Sequence, residues 1–163
     1  MIVLSVDQAK TTGWAIFDNE ELIDYGCIRS KFNNYCDVSF HVCTHINALI
    51  DKYNPDIVLF EDVANQSNSL THKNLSMLLG FLVCSCLYRQ KDYRIIHSSS
   101  WRKILRDNIE QPRAKSVRLQ RKELKDMSKK YVNVRCGVEV SDDIADAINM
   151  GLYYLEYRVN KNE

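Results

Sequence analysis

The first third of the chain carries the hydrophobic pattern of strands. The apolar run 2–6 ends at Asp7 and predicts a buried strand. Thr11-Thr12-Gly13 predicts a tight turn, and residues 14–17 and 22–29 predict two further strands separated by the polar turn Asp18-Asn19-Glu20. These segments together predict an antiparallel meander.

Residues 37–60 predict a helix followed by a strand. Apolar side chains at helical spacing in 37–53 give an inward face of Phe40, Cys43, Ile46 or Asn47, and Ile50. Asn54-Pro55-Asp56 ends the helix, and the apolar run 57–60 predicts a strand. A right-handed crossover through the helix would make that strand parallel to strand 2–7.

The rest of the chain predicts four helices and one short strand. Residues 71–89 predict a helix, and 93–97 predict a strand. One of Ser98, Ser99 and Ser100 is expected to cap a helix that begins at Trp101. A longer helix is expected over 114–131, and Ser141 is expected to cap a last helix that runs to about Arg158. We expect a single α/β domain over residues 1–163.

Four acidic residues stand where this fold would place a ligand site. Asp7 and Glu61 each follow a buried strand, and ligands of open α/β sheets bind outside the carboxyl ends of the strands. Asp143 and Asp146 lie three residues apart in the first turn of the last helix, so they share a face. The four carboxylates are therefore expected to meet at one edge of the sheet.

Four ionised carboxylates in one crevice would repel each other unless cations bind between them. Oxygen ligands favour Mg²⁺ or Mn²⁺ over zinc, and two such ions about 3.5–4 Å apart can promote in-line hydrolysis of a phosphodiester. Each acid also has a structural explanation, because first-turn acids offset the helix dipole and turns favour Asp. The combination of all four favours a metal site with two ions.

Charge is distributed unevenly along the chain. The formal net charge is +1, but residues 102–130 hold eleven Lys and Arg against four acids. Such a segment is typical of proteins that bind polyanions, because phosphate contacts dominate the affinity of nucleic-acid binders. A solvated helix face is the structural alternative. The expected DNA-binding residues are Arg102, Lys103, Arg113, Lys115, Arg118, Arg121 and Lys122.

The six cysteines include no C-x-x-C pair and no framework of a small secreted protein, so free thiols in a reducing compartment are expected. No signal peptide is evident at the amino terminus. We expect a cytoplasmic protein with no membrane partner and no nucleotide cofactor.

Several segments taken together resemble the RuvC family of Holliday-junction resolvases, most closely its phage-type members, within the RNase H-like superfamily. The matching segments run from Leu4 to Phe17, from Pro55 to Val63, from Ser100 to Lys103 and from Asp142 to Ala147. The resemblance implies an RNase H-like fold, a five-stranded mixed sheet flanked by helices. It also implies homodimers that nick two opposing strands of a four-way DNA junction with Mg²⁺ or Mn²⁺.

The resemblance assigns Asp7, Glu61, Asp143 and Asp146 to the family's four metal-binding carboxylates. The adjacent acids Asp62 and Asp142 are second choices, because the spacing pairs Asp143 with Asp146. Lys103 matches a family lysine near the scissile phosphate, and a second such lysine corresponds to Lys115, Arg121 or Lys122.

The chain departs from the family in one loop. Ala64 stands where bacterial members carry a Phe that stacks into the junction centre, and the polar loop 65–69 follows it. Stacking contacts there would be lost.

Two further expectations concern assembly. Ser76, Gly80 and Cys84 form a stripe of small residues on the second helix that permits close helix approach, within the monomer or across a two-fold axis. Paired nicks in a four-way junction need two sites related by a C2 axis, which favours a dimer through this helix.

Two other functions fit parts of the pattern. An actin-like or sugar-kinase-like ATPase also opens with a strand, an Asp, a Thr-Gly turn and a hairpin, but it needs a second lobe. A non-catalytic junction-binding module would not need all four carboxylates.

Overall fold

A computed structural model describes residues 1–63, 68–108 and 117–159 of the 163-residue chain, without the side chains of 117–121 and 158–159. In these ranges the strands are β1 (Ile2–Asp7), β2 (Thr11–Asp18), β3 (Glu21–Arg29), β4 (Ile57–Glu61) and β5 (Asp92–Ile96). The helices are α1 (Tyr35–Tyr53), α2 (Ser69–Tyr88), α3 (Ser98–Trp101), α4 (Lys103–Asn108), α5 (Val117–Cys136) and α6 (Asp142–Val159).

The strands form one mixed sheet in the order β3-β2-β1-β4-β5. β1, β2 and β3 pair antiparallel, whereas β1 with β4 and β4 with β5 pair parallel. The predicted meander and the predicted parallel crossover are therefore confirmed, as is the five-stranded mixed sheet flanked by helices. Because β1 and β4 are parallel neighbours, their carboxyl ends lie at the same edge of the sheet.

Each face of the sheet has its own hydrophobic core. On one face Val3, Phe17 and Leu59 pack with α6 and with residues of α3, α4 and α5. On the other face Leu4 and Phe60 pack against α1 and α2. Alternate residues of a strand point to opposite faces, so β1 and β4 are apolar at consecutive positions because both of their faces are covered.

Helices α5 and α6 run side by side in the same direction. Lys125 near the middle of α5 pairs with Asp142 at the start of α6, and Arg135 near the end of α5 pairs with Glu156 near the end of α6. The stretch from Gly137 to Ser141 must therefore run back along α5 before α6 begins. It carries Val138 and Val140, which pack against the core of this face.

The predicted turn at Thr11-Thr12-Gly13 is wrong, because these residues belong to β2. The chain turns earlier, where the hydroxyl of Thr12 donates to the carbonyl of Ala9 at 2.6 Å. Gly13 pairs with Asp7 across the ladder. Its lack of a side chain serves a close approach between two segments and not a turn.

Other boundaries and faces also differ from the predictions. Phe40 is 69% exposed, because Val42, Ile46 and Ile50 form the inward stripe of α1 and Phe40 lies about 200° around the helix from Val42. No serine caps the helix before Trp101, since Ser98 is already helical and the cap position is His97, which makes no side-chain cap bond. A second short helix follows at Lys103, and α5 continues to Cys136.

Helix α2 is apolar along most of its surface. By length and composition it is the one helix in the described ranges that could cross a membrane, and 17% of that stretch is buried. Leu78, Leu82 and Cys86 are its buried residues and pack in the core on that face of the sheet. A methyl group added at Gly80 would meet nothing within 4 Å, so the small-residue stripe is not used for helix packing inside the described monomer.

The first turn of α6 packs directly on Gly13. A methyl group at this position would overlap the backbone carbonyl of Asp143 and approach the nitrogen of Ile144. Only glycine therefore lets α6 lie this close to β2. Since Gly13 is the ladder partner of Asp7, the contact brings Asp143 to the strand end that carries Asp7.

We expect Gly13→Ala to lower the free energy of unfolding by about 1–3 kcal/mol, because the added methyl forces α6 away from the sheet. Chemical denaturation at submicromolar protein concentration measures the change. Gly80→Ala is the matched control: its methyl meets open space in a helix, so stability should rise by up to about 1 kcal/mol. Equal stability of Gly13→Ala and the wild type would contradict the packing described here.

Candidate metal centre

Asp7 and Glu61 occupy equivalent positions at the ends of adjacent parallel strands. Val6 pairs with Phe60, so the next residue on each strand is one of the two acids. The side chain of Gln8 joins the strands beyond this point: its Nε2 donates to the carbonyl of Glu61 at 2.5 Å, and its Oε1 accepts from the Glu61 amide at 3.1 Å. This amide bridge fixes the backbone that carries both carboxylates.

Asp143 and Asp146 approach the same edge from α6. Asp143 lies where α6 packs on Gly13. Asp146 is one turn further along, and its Oδ1 accepts a hydrogen bond from the hydroxyl of Ser128 on α5 at 2.6 Å. Helix α6 therefore adds two acids to those that the strands supply.

The electrostatics show that the other three acids act on Asp7. Burial raises the pKa of Asp7 well above its usual value, and the charges of Glu61, Asp146 and Asp143 raise it further, in that order. Arg102 is the cation that opposes this rise. A partly buried acid that three other carboxylates act on is costly to ionise, and this cost favours binding of a cation.

The pKa of Asp146 is also raised by burial and by a neighbouring acid, but more groups lower it than lower the pKa of Asp7. Burial raises its pKa to about 6, and Glu61 adds to the rise. The hydrogen bond from Ser128 lowers the pKa, as do the charges of Arg102 and Lys125. Burial is the dominant cause, so the carboxyl group titrates above its ordinary range.

The donor set fits a hard divalent cation, because all four groups are carboxylates. The described side chains do not already surround one point, since no group of three or more His, Cys, Asp or Glu among them forms a ready ion site. One oxygen of Glu61 accepts from the Trp101 indole at 3.0 Å and one oxygen of Asp146 accepts from Ser128, which leaves the second oxygen of each carboxylate for a cation.

The two neighbouring acids are engaged elsewhere. Asp142 pairs with Lys125 at 3.0 Å and with Lys129 at 3.1 Å, and the hydrogen bond from Lys125 is the main cause of its lowered pKa. Asp62 lies 2.7 Å from the His97 ring. These contacts favour Asp143 and Glu61 as the ligands over their neighbours.

Arg102 is a cation beside the acids and lowers the pKa of both Asp7 and Asp146. One guanidinium nitrogen lies 3.9 Å from Glu61 Oε1, and Arg102 also stacks on Trp101, with its guanidinium carbon 4.9 Å from the ring centroid. The Lys103 ammonium lies over the Tyr157 ring, 5.3 Å from its centroid. Tyr157 is about 21 Å along α6 from Asp143, so Lys103 faces away from the acids.

Sequence reasoning did not identify three residues that hold the acids in place. Trp101 is buried, and its indole also donates to Glu61. Nothing in the sequence indicated that Gln8 would bond to the backbone of Glu61 or that Ser128 would bond to Asp146.

A cleft of about 160 Å³ beside the acids is lined by Gln8, Glu61, Asp62, Val63, Leu75, Ser98 and Arg102.

The structure describes part of the predicted DNA-binding segment. Lys122 is exposed on α5. Arg113, Lys115 and Ala64 lie outside the described residues, and so do the side chains of Arg118 and Arg121.

The fold has well-matched counterparts among solved structures, although no protein-family model and no curated protein sequence matches the chain. It aligns with RuvC from T. thermophilus in complex with Holliday junction substrate at a TM-score of 0.76 and 11% identity, over 98% of this chain and 96% of that one. A second Thermus thermophilus RuvC structure gives 0.72 at 13% identity, over 98% and 97%. The yeast mitochondrial Holliday junction resolvase gives 0.57 at 16% identity, over 96% and 78%.

The class that these observations define is the RNase H-like α/β fold, with acids at the carboxyl end of its sheet. Within that class the chain has the RuvC fold along nearly its whole length. The resemblance drawn from the sequence is confirmed at the level of the fold.

We expect the protein without divalent cations to lose stability as the pH rises from about 4 to about 6. The raised pKa values of Asp7 and Asp146 mean that the folded state holds protons that the unfolded chain releases near pH 4. A cation binds the ionised acids, so Mn²⁺ should raise the melting temperature more at about pH 7.5 than at about pH 5.

Melting temperatures measured with EDTA and with Mn²⁺ at both pH values test this expectation. Asp146→Asn should shrink the difference between the two pH values, and Asp142→Asn should leave it intact. An equal effect of Mn²⁺ at both pH values would contradict it.

Proposed function

We propose that this chain is a metal-dependent, structure-selective DNA endonuclease that resolves Holliday junctions, and other branched DNA, by paired phosphodiester hydrolysis. The observation that carries the proposal is a set of four carboxylates at the carboxyl end of the sheet in a RuvC fold, three of which raise the pKa of the fourth, Asp7. A protein of this fold was solved in complex with a Holliday junction substrate.

We assign Asp7, Glu61, Asp143 and Asp146 as ligands of two Mg²⁺ or Mn²⁺ ions. Ions bound there would supply Lewis-acid chemistry, which activates a water and stabilises charge on the leaving oxygen. The chain's own residues set the geometry: the Gln8 bridge aligns the strand ends, and the Gly13 contact brings the start of α6 to them.

Arg102 is our first candidate for the cation that stabilises charge on the scissile phosphate. Its guanidinium lies at the acid cluster, and a guanidinium presents a planar pair of donors to phosphate oxygens. Lys103 matches the family's lysine by sequence, but its ammonium faces Tyr157. We therefore place Lys103 among the residues that contact DNA away from the cut.

The remaining DNA contacts are proposed along α5 and the segment before it. Lys122 is exposed, as are Lys125 and Lys130 on the same helix. Phosphate contacts by a helix of this charge would position the junction arms beside the acids.

We propose a homodimer through α2. Its outward side carries large apolar residues that a monomer would leave in water: Leu70, Phe81, Leu87 and Tyr88 are 62%, 40%, 60% and 89% exposed. The open space at Gly80 permits a second helix to approach closely. An isologous contact of this kind relates two acid clusters by a two-fold axis, as two opposing nicks require.

We also place the protein inside the cell. All six cysteines are free thiols, as expected for a reducing compartment, and branched DNA is an intracellular substrate.

Asp7→Asn should abolish cleavage while junction binding persists, because it removes a buried carboxylate but no phosphate contact. We expect a fall of at least about 100-fold in the single-turnover rate on a labelled four-way junction with Mg²⁺, the upper end of losses seen for outer-shell partners of metals. Asp142→Asn is the matched control and should keep most of the activity, since Asp142 pairs with lysines of α5. Retained cleavage by Asp7→Asn would reject the site.

Phe81→Arg should convert the dimer to a monomer, because it puts a charge into the apolar face of α2. Sedimentation velocity measures the state, and mapping of the cuts tests whether nicks on opposing strands become uncoupled. Val134→Arg is the control, since Val134 is an exposed apolar residue of α5 at 76% exposure. A monomeric wild type that still makes paired nicks would rule out the dimer.

A further inference from the structure

A polar seam lies between α5 and α6 at the end of α6 that carries the acids. On α6 it consists of Asp142, Asp146 and Asn149, which follow one another at the spacing i, i+4, i+7 and so share a face. On α5 it consists of Lys125, Ser128 and Lys129. Lys125 and Lys129 bind Asp142, and Ser128 contacts both Asp146 and Asn149.

Ser128 and Asn149 are the buried centre of this seam. Ser128 is 1% exposed and Asn149 is fully buried. The Asn149 amide nitrogen donates to the backbone carbonyl of Ser128 at 3.1 Å and to its hydroxyl oxygen at 2.8 Å. Polar groups this deeply buried are costly unless they are bonded. Here the hydrogen bonds run from Asn149 to Ser128 and from Ser128 to Asp146.

The bond from Asn149 sets the direction of the next one. A serine hydroxyl has one proton, and here its oxygen already accepts from Asn149. The proton therefore points to Asp146 Oδ1, 2.6 Å away. A carboxylate has two oxygens, so this bond holds the plane of the Asp146 carboxylate and leaves the other oxygen for a cation.

We propose that Ser128 is a positioning residue: its hydroxyl, oriented by Asn149, holds the Asp146 carboxylate in the conformation that binds a divalent cation. The proposal rests on the proposed function, since it concerns the same metal site. It also ties α5, the helix with the basic residues, to the geometry of the acids.

Loss of the hydroxyl should weaken metal binding before it weakens DNA binding. We expect Ser128→Ala to lower Mn²⁺ affinity about 10–100-fold, the range for outer-shell partners of metal ligands, and to raise the Mn²⁺ concentration for half-maximal cleavage equally. Junction affinity in Ca²⁺ should stay within about twofold, because phosphate contacts carry it.

Mn²⁺ affinity is measured by electron paramagnetic resonance of free Mn²⁺, without DNA, so this readout does not depend on activity. Ser128→Thr keeps the hydroxyl and should restore Mn²⁺ affinity to within a few-fold of the wild type. Ser128→Cys keeps the shape with a weaker donor and should be intermediate; it also serves if Ser128→Ala fails to fold. Thr44→Ala is the control, since its hydroxyl bonds the Phe40 carbonyl within α1.

The outcomes separate the two proposals. A wild type that binds Mn²⁺ and cuts junctions, with a Ser128→Ala variant of unchanged Mn²⁺ affinity, overturns the role of Ser128 alone. The same holds if Ser128→Thr is as impaired as Ser128→Ala, since packing would then be the cause. A wild type that neither binds Mn²⁺ nor cuts junctions overturns both.

Discussion

The contact between the first turn of α6 and Gly13 is the constraint on which the candidate site depends. Two carboxylates come from strands and two come from a helix more than eighty residues later in the chain, and this contact brings them together. It requires a residue without a side chain opposite Asp7. The sheet supplies a rigid edge, and α6 supplies its acids at a distance that the backbone contact sets.

The price of this arrangement is the burial of acids beside other acids. The protein offsets part of it with donors from different elements: Trp101 for Glu61, Ser128 for Asp146 and the guanidinium of Arg102 for the cluster. Each donor also restricts the rotation of a carboxylate. The same bonds that reduce the cost of burial therefore prearrange the ligands, as metal sites with ordered outer shells do.

Hydrophobic patterning was sufficient for the sheet and for two of the four acids. The runs 2–6 and 57–60 are apolar at consecutive positions because their strands are covered on both faces, and an acid after such a strand lies at the sheet edge in any parallel arrangement. The position of Asp143 and Asp146 on one face of α6 was predicted from helical spacing. The fold could therefore be predicted closely, apart from the start of β2, the inward face of α1 and the boundaries of α3 to α5.

The features that were not predicted depend on tertiary contacts. Gly13 resembled a turn residue because its partner is remote in sequence. Arg102 and Lys103 are adjacent in sequence, and a single helix from Trp101 was predicted. The helix is instead interrupted between them, so that Arg102 faces the acids and Lys103 faces Tyr157. Phe40 was expected on the inward face of α1 from its helical spacing, but that face is set by Val42, Ile46 and Ile50.

The paired acids at the start of α6 have separate tasks because successive helix residues point about 100° apart. Asp142 is turned toward α5, where two lysines hold it, and Asp143 is on the side that meets β2. Insertion or deletion of one residue just before this pair would rotate both side chains by about 100°, so that one acid would take the other's place and the second would lose its own position. The order of the two acids along the chain therefore matters as much as their charge.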